Sequence, residues 1–377
     1  MNKKLTAAME CNLKGYDRKQ SAEQFCGIDW KMIHESALRN HALYQASWNG
    51  EKPERPVIIG QPSVQHFICQ QDDAGKWRLV YRNALEAQLK RIQTDLAAGL
   101  IVLPMVLCDF NTLALSSMFT PDLISSEDGS DAFVKPLFND RRNLERMEKP
   151  DLNQGLIPVL LEETRRLRSI LPEFIAVGVR LNTGPLSLAA ELRGATELIY
   201  DMIEAPALCR HFISMLTDLY IEVRDAIHTA AGIVLRPGIV RPDVSFHAPT
   251  SGVMICDDTL QVLGPKQFAE FGVPCFERIL THYGGGSIHS CGDTSHLWPD
   301  LAALPLLAGI EFGEGNRVNW TAARKAFPEK RLIFWDLNQE GSDYMKRTFV
   351  AAGEPRTFVY TQNGEHIKAW QKMIKNS

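Results

Sequence analysis

The stretch Gly284-Gly285-Gly286-Ser287-Ile288-His289-Ser290-Cys291-Gly292-Asp293 decides how the rest of the chain is read. A glycine run leads into a short extended segment that ends in an imidazole, a thiol and a turn. Alternate side chains of an extended chain share a face, so His289 and Cys291 point one way while Ile288 and Ser290 point the other. If that face opens into a cavity, nitrogen and sulfur converge within reach of one small ion, and zinc suits such mixed ligation. Two ligands do not make a site, because a catalytic zinc normally takes three from the protein. A glycine run that precedes a strand instead of following one also argues against a nucleotide-binding fingerprint and the open doubly wound sheet that carries it.

Outward from this motif, apolar runs alternate with longer amphipathic stretches, the pattern of βα units around a parallel sheet. Strands are expected at 101–108, 175–181, 253–256, 287–289, 307–311, 332–335 and 357–360. Helices are expected at 156–170, 195–203, 207–231, 265–283, 295–304, 341–351 and 365–374, from apolar residues at three-to-four spacing. Residues 1–85 are polar, with a helix expected over 21–45 and a Pro-rich break after it, and read as an N-terminal helical extension. Residues 86–377 show no repeat, low-complexity tract or linker, so one continuous barrel is expected over a tandem of domains.

Strand ends are where barrel enzymes place their working groups. Cys256, Asp257 and Asp258 close one apolar run, Glu311 closes another with Glu314 beyond it, and Asp109 ends the first. Asp257, Asp258 and Glu311 are the candidate acid–base residues, each with an alternative role as a helix N-cap. His247, in a Pro-flanked loop, is a candidate metal ligand or proton carrier, or merely a hydrogen-bonded side chain. Tyr283 and Trp298 flank the motif and either line a pocket or pack in the core. Cys108 reads as a buried core thiol.

Composition narrows the function classes. Forty-one basic against 45 acidic residues leave a net charge of -4, so no broad basic field exists to attract nucleic acid. The longest apolar runs fall far short of the roughly 20 residues a membrane-spanning helix needs, and the polar N-terminus has no hydrophobic signal core. Eight cysteines without a CxxC pair do not form a disulfide framework. A cytoplasmic protein without membrane attachment is the expectation.

Four blocks resemble the uroporphyrinogen decarboxylase superfamily, and within it the cobamide-dependent methyltransferases. They are GPLSLAAELRG with ELIYDMIEAP (184–194 and 197–206), ICDDTLQVLGPKQFAEFGVPCFERI (255–279), GGGSIHSCGD itself, and a weaker echo in EDGSDAFVKPL (127–137). The resemblance runs from about residue 95 to 375 and implies a (β/α)8 TIM barrel. True uroporphyrinogen decarboxylases carry an Arg-Gln-Ala-Gly-Arg segment near the N-terminus that holds the carboxylates of a tetrapyrrole. The corresponding Glu54-Arg55-Pro56-Val57-Ile58-Ile59-Gly60 lacks that basic cluster, which disfavours decarboxylation of so highly charged a substrate.

The methyltransferase branch uses a His-x-Cys pair of the kind seen at His289 and Cys291, plus a later Cys, to hold zinc. No Cys follows Cys291; Tyr360, Gln362 and Asn363 stand where the last ligand would fall. Candidates to complete the site are Asp257, Asp258, Glu311 and His247. The resemblance implies methyl transfer between a small organic substrate and a corrinoid (cobalamin) carried on a partner protein. One alternative is decarboxylation or another lyase reaction on a small acid, with Asp257 or Asp258 handling protons and Arg193 or Arg180 anchoring a carboxylate. The other is a barrel that binds a corrinoid or small ligand without chemistry. Arg193, Tyr283 and Asp109 are the expected substrate contacts.

Overall fold

The computed structural model describes residues 25, 27–51, 57–60, 69–71, 77–79, 84–108, 113–120, 123–125, 132–181, 183–243, 249–336, 356–361 and 372. Its frame is a set of short parallel strands: β1 (Val57–Gly60), β2 (Met105–Cys108), β3 (Ala176–Val179), β4 (Val253–Cys256), β5 (Gly286–Ser290), β6 (Leu307–Phe312), β7 (Arg331–Asp336) and β8 (Thr357–Thr361). Six form one sheet in the order β1-β8-β7-β6-β5-β4, and β2 pairs with β3 in a second. Every residue of β2, β4 and β5 is buried, as expected of strands covered on both faces. The fold is therefore α/β with parallel sheets.

Each strand read from the sequence is present, most of them shorter or longer by a few residues. The unread one is β1, which falls inside the segment taken as an extension and pairs in register with β8. Four residues next to a proline-rich break offered too little alternation to be seen.

Alternation along the strands sorts the core into two clusters. Val177, Val179, Val253, Ile255, Ile288, Ile310, Phe312, Leu332 and Phe334 join the larger one, against the helices. Met254, Cys256, Ile333 and Phe358 turn the other way and join a smaller one with Tyr44, Trp48, Ile101 and Val240. Tyr44 and Trp48 belong to α1 (Trp30–Trp48), and both rings lie against Phe358. Helix α1 begins later than the sequence suggested, because the Asp29 carboxylate accepts the Met32 N–H at 2.9 Å and caps it there.

The helices that cover the larger core include α2 (Ile157–Ile170), α3 (Pro185–Arg193), α4 (Ala195–Glu204), α5 (Pro206–Ala230) and α6 (Val273–Tyr283). The single helix expected over 265–283 is interrupted by a π turn at Phe268–Gly272 just before α6. Pro274 lacks an N–H and its ring crowds the carbonyl one turn back, so the ladder widens there. Ala84–Ala97, α3 and Trp320–Ala326 are helices that the periodicity did not reveal. The helices expected at 341–351 and 365–374 lie outside the described residues, residue 372 excepted. No helix among the described residues is long and apolar enough to cross a membrane.

Among the described residues, β4 pairs with a strand, β5, on one side only. On the other, the Met254 N–H donates to Asp243 Oδ2 at 2.9 Å, and its carbonyl accepts from Arg224 Nη1 at 2.7 Å. Arg224 and Asp243 are both fully buried and paired at 2.6 Å. One residue pair beyond, Gly184 N–H donates to the Cys256 carbonyl at 2.6 Å. A buried ion pair and the chain leaving β3 thus satisfy the backbone groups that a further strand would.

Candidate metal centre

Register assembles the site. Cys256 on β4 stands opposite His289 on β5, which stands opposite Glu311 on β6. All three point to the same face, since their neighbours Ile255, Ile288 and Ile310 belong to the helix-side core. An imidazole is thereby flanked by a thiol on one strand and a carboxylate on the next.

Cys256, Asp258 and His289 each offer a ligand atom, and the three lie within 4.8 Å of one another. His289 Nε2 is 3.7 Å from Asp258 Oδ1 and 3.6 Å from Cys291 Sγ. The expected pairing of His289 with Cys291 on one face is therefore observed. On the other side of the ring, Nδ1 is 3.7 Å from Glu311 Oε1, and that carboxylate is fully buried. Nε2 faces Cys291 and Asp258, while Nδ1 faces the Glu311 carboxylate at ion-pair distance.

Asp258 is half exposed and is the outermost member of the cluster. Its Oδ1 also accepts the Cys291 N–H at 2.7 Å, tying the loop after β4 to the loop after β5. Burial pushes the Cys256 thiol up to about 11, so the sulfur keeps its proton near neutral pH unless a cation compensates it. Burial works to lower His289, but Cys256, Cys291 and Glu311 together outweigh it and raise the imidazole well above its ordinary value.

Two glycines make room for this packing. A Cβ on Gly313 would stand 2.7 Å from Cys291 Sγ and 3.1 Å from His289 Cε1. A Cβ on Gly184 would meet the Cys256 carbonyl at 2.6 Å and Asp257 Oδ2 at 2.7 Å, which explains the glycine that opens GPLSLAAELRG.

The other expected site residues are placed as follows. Asp257, one residue from the cluster, is fully buried and turned toward α3: Oδ2 accepts the Leu186 N–H at 2.9 Å and Oδ1 the Ser187 hydroxyl at 2.7 Å. Burial raises its carboxyl to about 7 against those bonds. Arg193 is buried, donating to Asp201 Oδ2 at 2.8 Å and to the Phe138 carbonyl at 2.8 Å, where it braces α3, α4 and the segment before residue 140. Tyr283 precedes β5, at the far end from Cys291, and its hydroxyl donates to the Ile221 carbonyl. Trp298 packs edge-on against Phe312 and Phe327 in the core. Cys108 is buried, as read. Asp109 and His247 lie outside the described residues.

Cys256 is the member of the cluster that strand-by-strand reading undervalued. Its only local signal is a polarisable side chain at the end of an apolar run, and without cross-strand register it looks like Cys108.

The family model described as Uroporphyrinogen decarboxylase (URO-D) matches residues 112–235, a span that holds GPLSLAAELRG and ends before the His289 cluster. No curated protein matches the chain. Among solved structures, a methyltransferase from Methanosarcina mazei superposes with a TM-score of 0.61 at 15% identity, covering 89% of this chain and 98% of that one. At that identity the likeness speaks for the fold alone. The uroporphyrinogen decarboxylase likeness thus covers residues 112–235, and the fold as a whole is similar to that of the Methanosarcina mazei methyltransferase.

Proposed function

We propose that this chain is a metal-assisted methyltransferase that moves a methyl group between a small organic molecule and a corrinoid carried on a partner protein. The observation that carries the reading is the cluster of two thiols, an imidazole and a half-exposed carboxylate at the ends of β4 and β5. Its sulfur, nitrogen and oxygen donors suit zinc, and the outermost position of Asp258 leaves one side of the centre open to an incoming group. In this reading Cys256 fills the place left by the cysteine that is missing after Cys291.

Zinc held by Cys256, His289 and Cys291, with Asp258 at the position that an incoming group would take, would supply Lewis acidity that lowers the pKa of a substrate heteroatom. The protein's own residues do the rest. Glu311 holds the imidazole so that Nε2 faces the ligands, and the Asp258–Cys291 bond keeps the two loops together. Burial of Cys256 and His289 excludes water from the inner side, which strengthens every charge interaction there.

The scaffold in this proposal is a closed (β/α)8 barrel. It is supported by parallel strands that follow one another in chain order and by two separate apolar clusters on their two faces. The pairing of β1 with β8 supports a barrel that starts before Val57 instead of at residue 86, with the preceding residues as the extension. The lyase alternative is not favoured, since Asp257 and Arg193 spend their hydrogen bonds on neighbouring helices.

Elemental analysis of the purified protein tests the reading. About one zinc per chain is expected, lost in His289→Ala and Cys256→Ser. Absorbance then follows the conversion of methylcobalamin to cob(I)alamin with a panel of small thiols, or the reverse with methylated donors. Metal-free protein that transfers methyl groups at the full rate would overturn it.

A further inference from the structure

A second group of buried and half-buried polar side chains lies at the opposite end of β4 and β5 from the metal centre. Arg224 and His228 come from α5, Arg241 from the short strand Arg241–Pro242 that leads to Asp243, and Tyr283 from the last turn of α6. The His228 ring sits edge-on to Tyr283 with centroids 5.4 Å apart, and the Arg224 guanidinium lies 5.9 Å from the same ring. One aromatic ring is thus shared by a cation and an imidazole.

The hydrogen-bond acceptors nearby are taken. Asp243 Oδ2 receives Arg224 Nη2 and the Met254 N–H, and the Tyr220 hydroxyl receives Arg224 Nη1. The Tyr283 hydroxyl donates to the Ile221 carbonyl, and Asp225 is paired with His282 at the surface. Three buried nitrogens are left without a partner among the described residues: Arg224 Nε, Arg241 Nη2 and His228 Nε2. Arg224 is fully buried and His228 is 7% exposed, so water at the surface does not serve them. An orphaned buried donor is costly, and several in one place ask for an acceptor.

Charge points to the kind of acceptor. Arg224 pairs with the fully buried Asp243, and Arg241 stands within electrostatic range of both, so two guanidiniums accompany one carboxylate among the described residues. Burial first, with Arg224 adding to it against the pull of Asp243, brings Arg241 down to about 10. Burial together with Arg224 and Arg241 holds His228 down to about 2, so its ring is neutral and free to donate through Nε2.

We propose that Arg224, Arg241 and His228 form a binding site for one small monovalent anion of chloride size. The anion would accept from the three nitrogens and balance the second guanidinium. It would also fasten α5 to the Arg241–Pro242 strand, remote from methyl transfer.

Two measurements on the full chain test this. The first compares thermal unfolding in sodium chloride and in sodium gluconate at equal ionic strength, gluconate being too large to enter. Chloride should raise the midpoint by a few degrees, increasing with the logarithm of its concentration, and Arg241→Met should abolish that shift. The second is anomalous scattering from wild-type crystals soaked in sodium bromide, with a peak expected between Arg241 and His228. An unchanged chloride shift in Arg241→Met, or density for a water and no bromide at that position, would overturn the proposal.

Discussion

Replacing Gly313 by alanine probes the metal centre without touching any of its proposed ligands. The added carbon would stand 2.7 Å from Cys291 Sγ, whereas non-bonded heavy atoms rest at roughly 3.5–4.0 Å, so one of them must yield by about 1 Å. Its second contact, 3.1 Å to His289 Cε1, closes the other escape. Gly313 is not among the glycines with positive φ, so the backbone itself tolerates the substitution. Overpacking of this kind costs about 1–3 kcal/mol. Metal sites tolerate only about 0.2 Å of ligand displacement, so the larger effect falls on binding, with zinc affinity down at least about 10–100-fold, the range seen when a ligand's supporting contacts are lost. Competition with a chromogenic chelator measures the affinity, and urea unfolding of the metal-free protein measures the stability. A Gly313→Ala protein that holds zinc as tightly as wild type would refute the placement of Cys291 beside His289.

The Arg224–Asp243 pair gives a stability prediction: Arg224→Met takes the paired cation from a buried carboxylate and the shorter of two donors from the Met254 carbonyl, at a cost of about 3–5 kcal/mol in urea unfolding, and a loss below about 1 kcal/mol would mean the pair is not buried. Glu191 gives a pH dependence. Burial raises its carboxyl to about 7 against hydrogen bonds from Val134 and Ser116. The folded state therefore binds that proton more tightly than the unfolded chain, and the group's contribution is full in acid and lost as pH rises through 7. Relative to Glu191→Gln, wild type should lose stability between pH 5 and pH 8; parallel curves would contradict the burial of that side chain.

What the chain alone determined was local. Apolar runs of Val, Ile and Leu located β2 to β8, because a strand covered on both faces needs little beyond hydrophobic length and β-branched shape. The two-residue spacing of His289 and Cys291 placed them on one face, because the period of an extended chain is a covalent property. Helix ends were less legible: a carboxylate at Asp29 moved the start of α1, and Pro274 broke a stretch whose periodicity ran on without a sign of it.

Tertiary structure alone decided which strand end faces which. Cys256 and Cys108 both close apolar runs, yet only the first lies in register with His289, and that depends on pairing between segments some thirty residues apart. The fate of the acids was settled the same way. Asp257 and Asp258 are adjacent, and the alternation of the chain sends one to cap α3 and the other to the imidazole. Arg193 met Asp201 because two helices pack, and β1 found β8 across nearly the whole chain. Such pairings are selected by the free energy of the assembled core, to which no single segment's pattern corresponds.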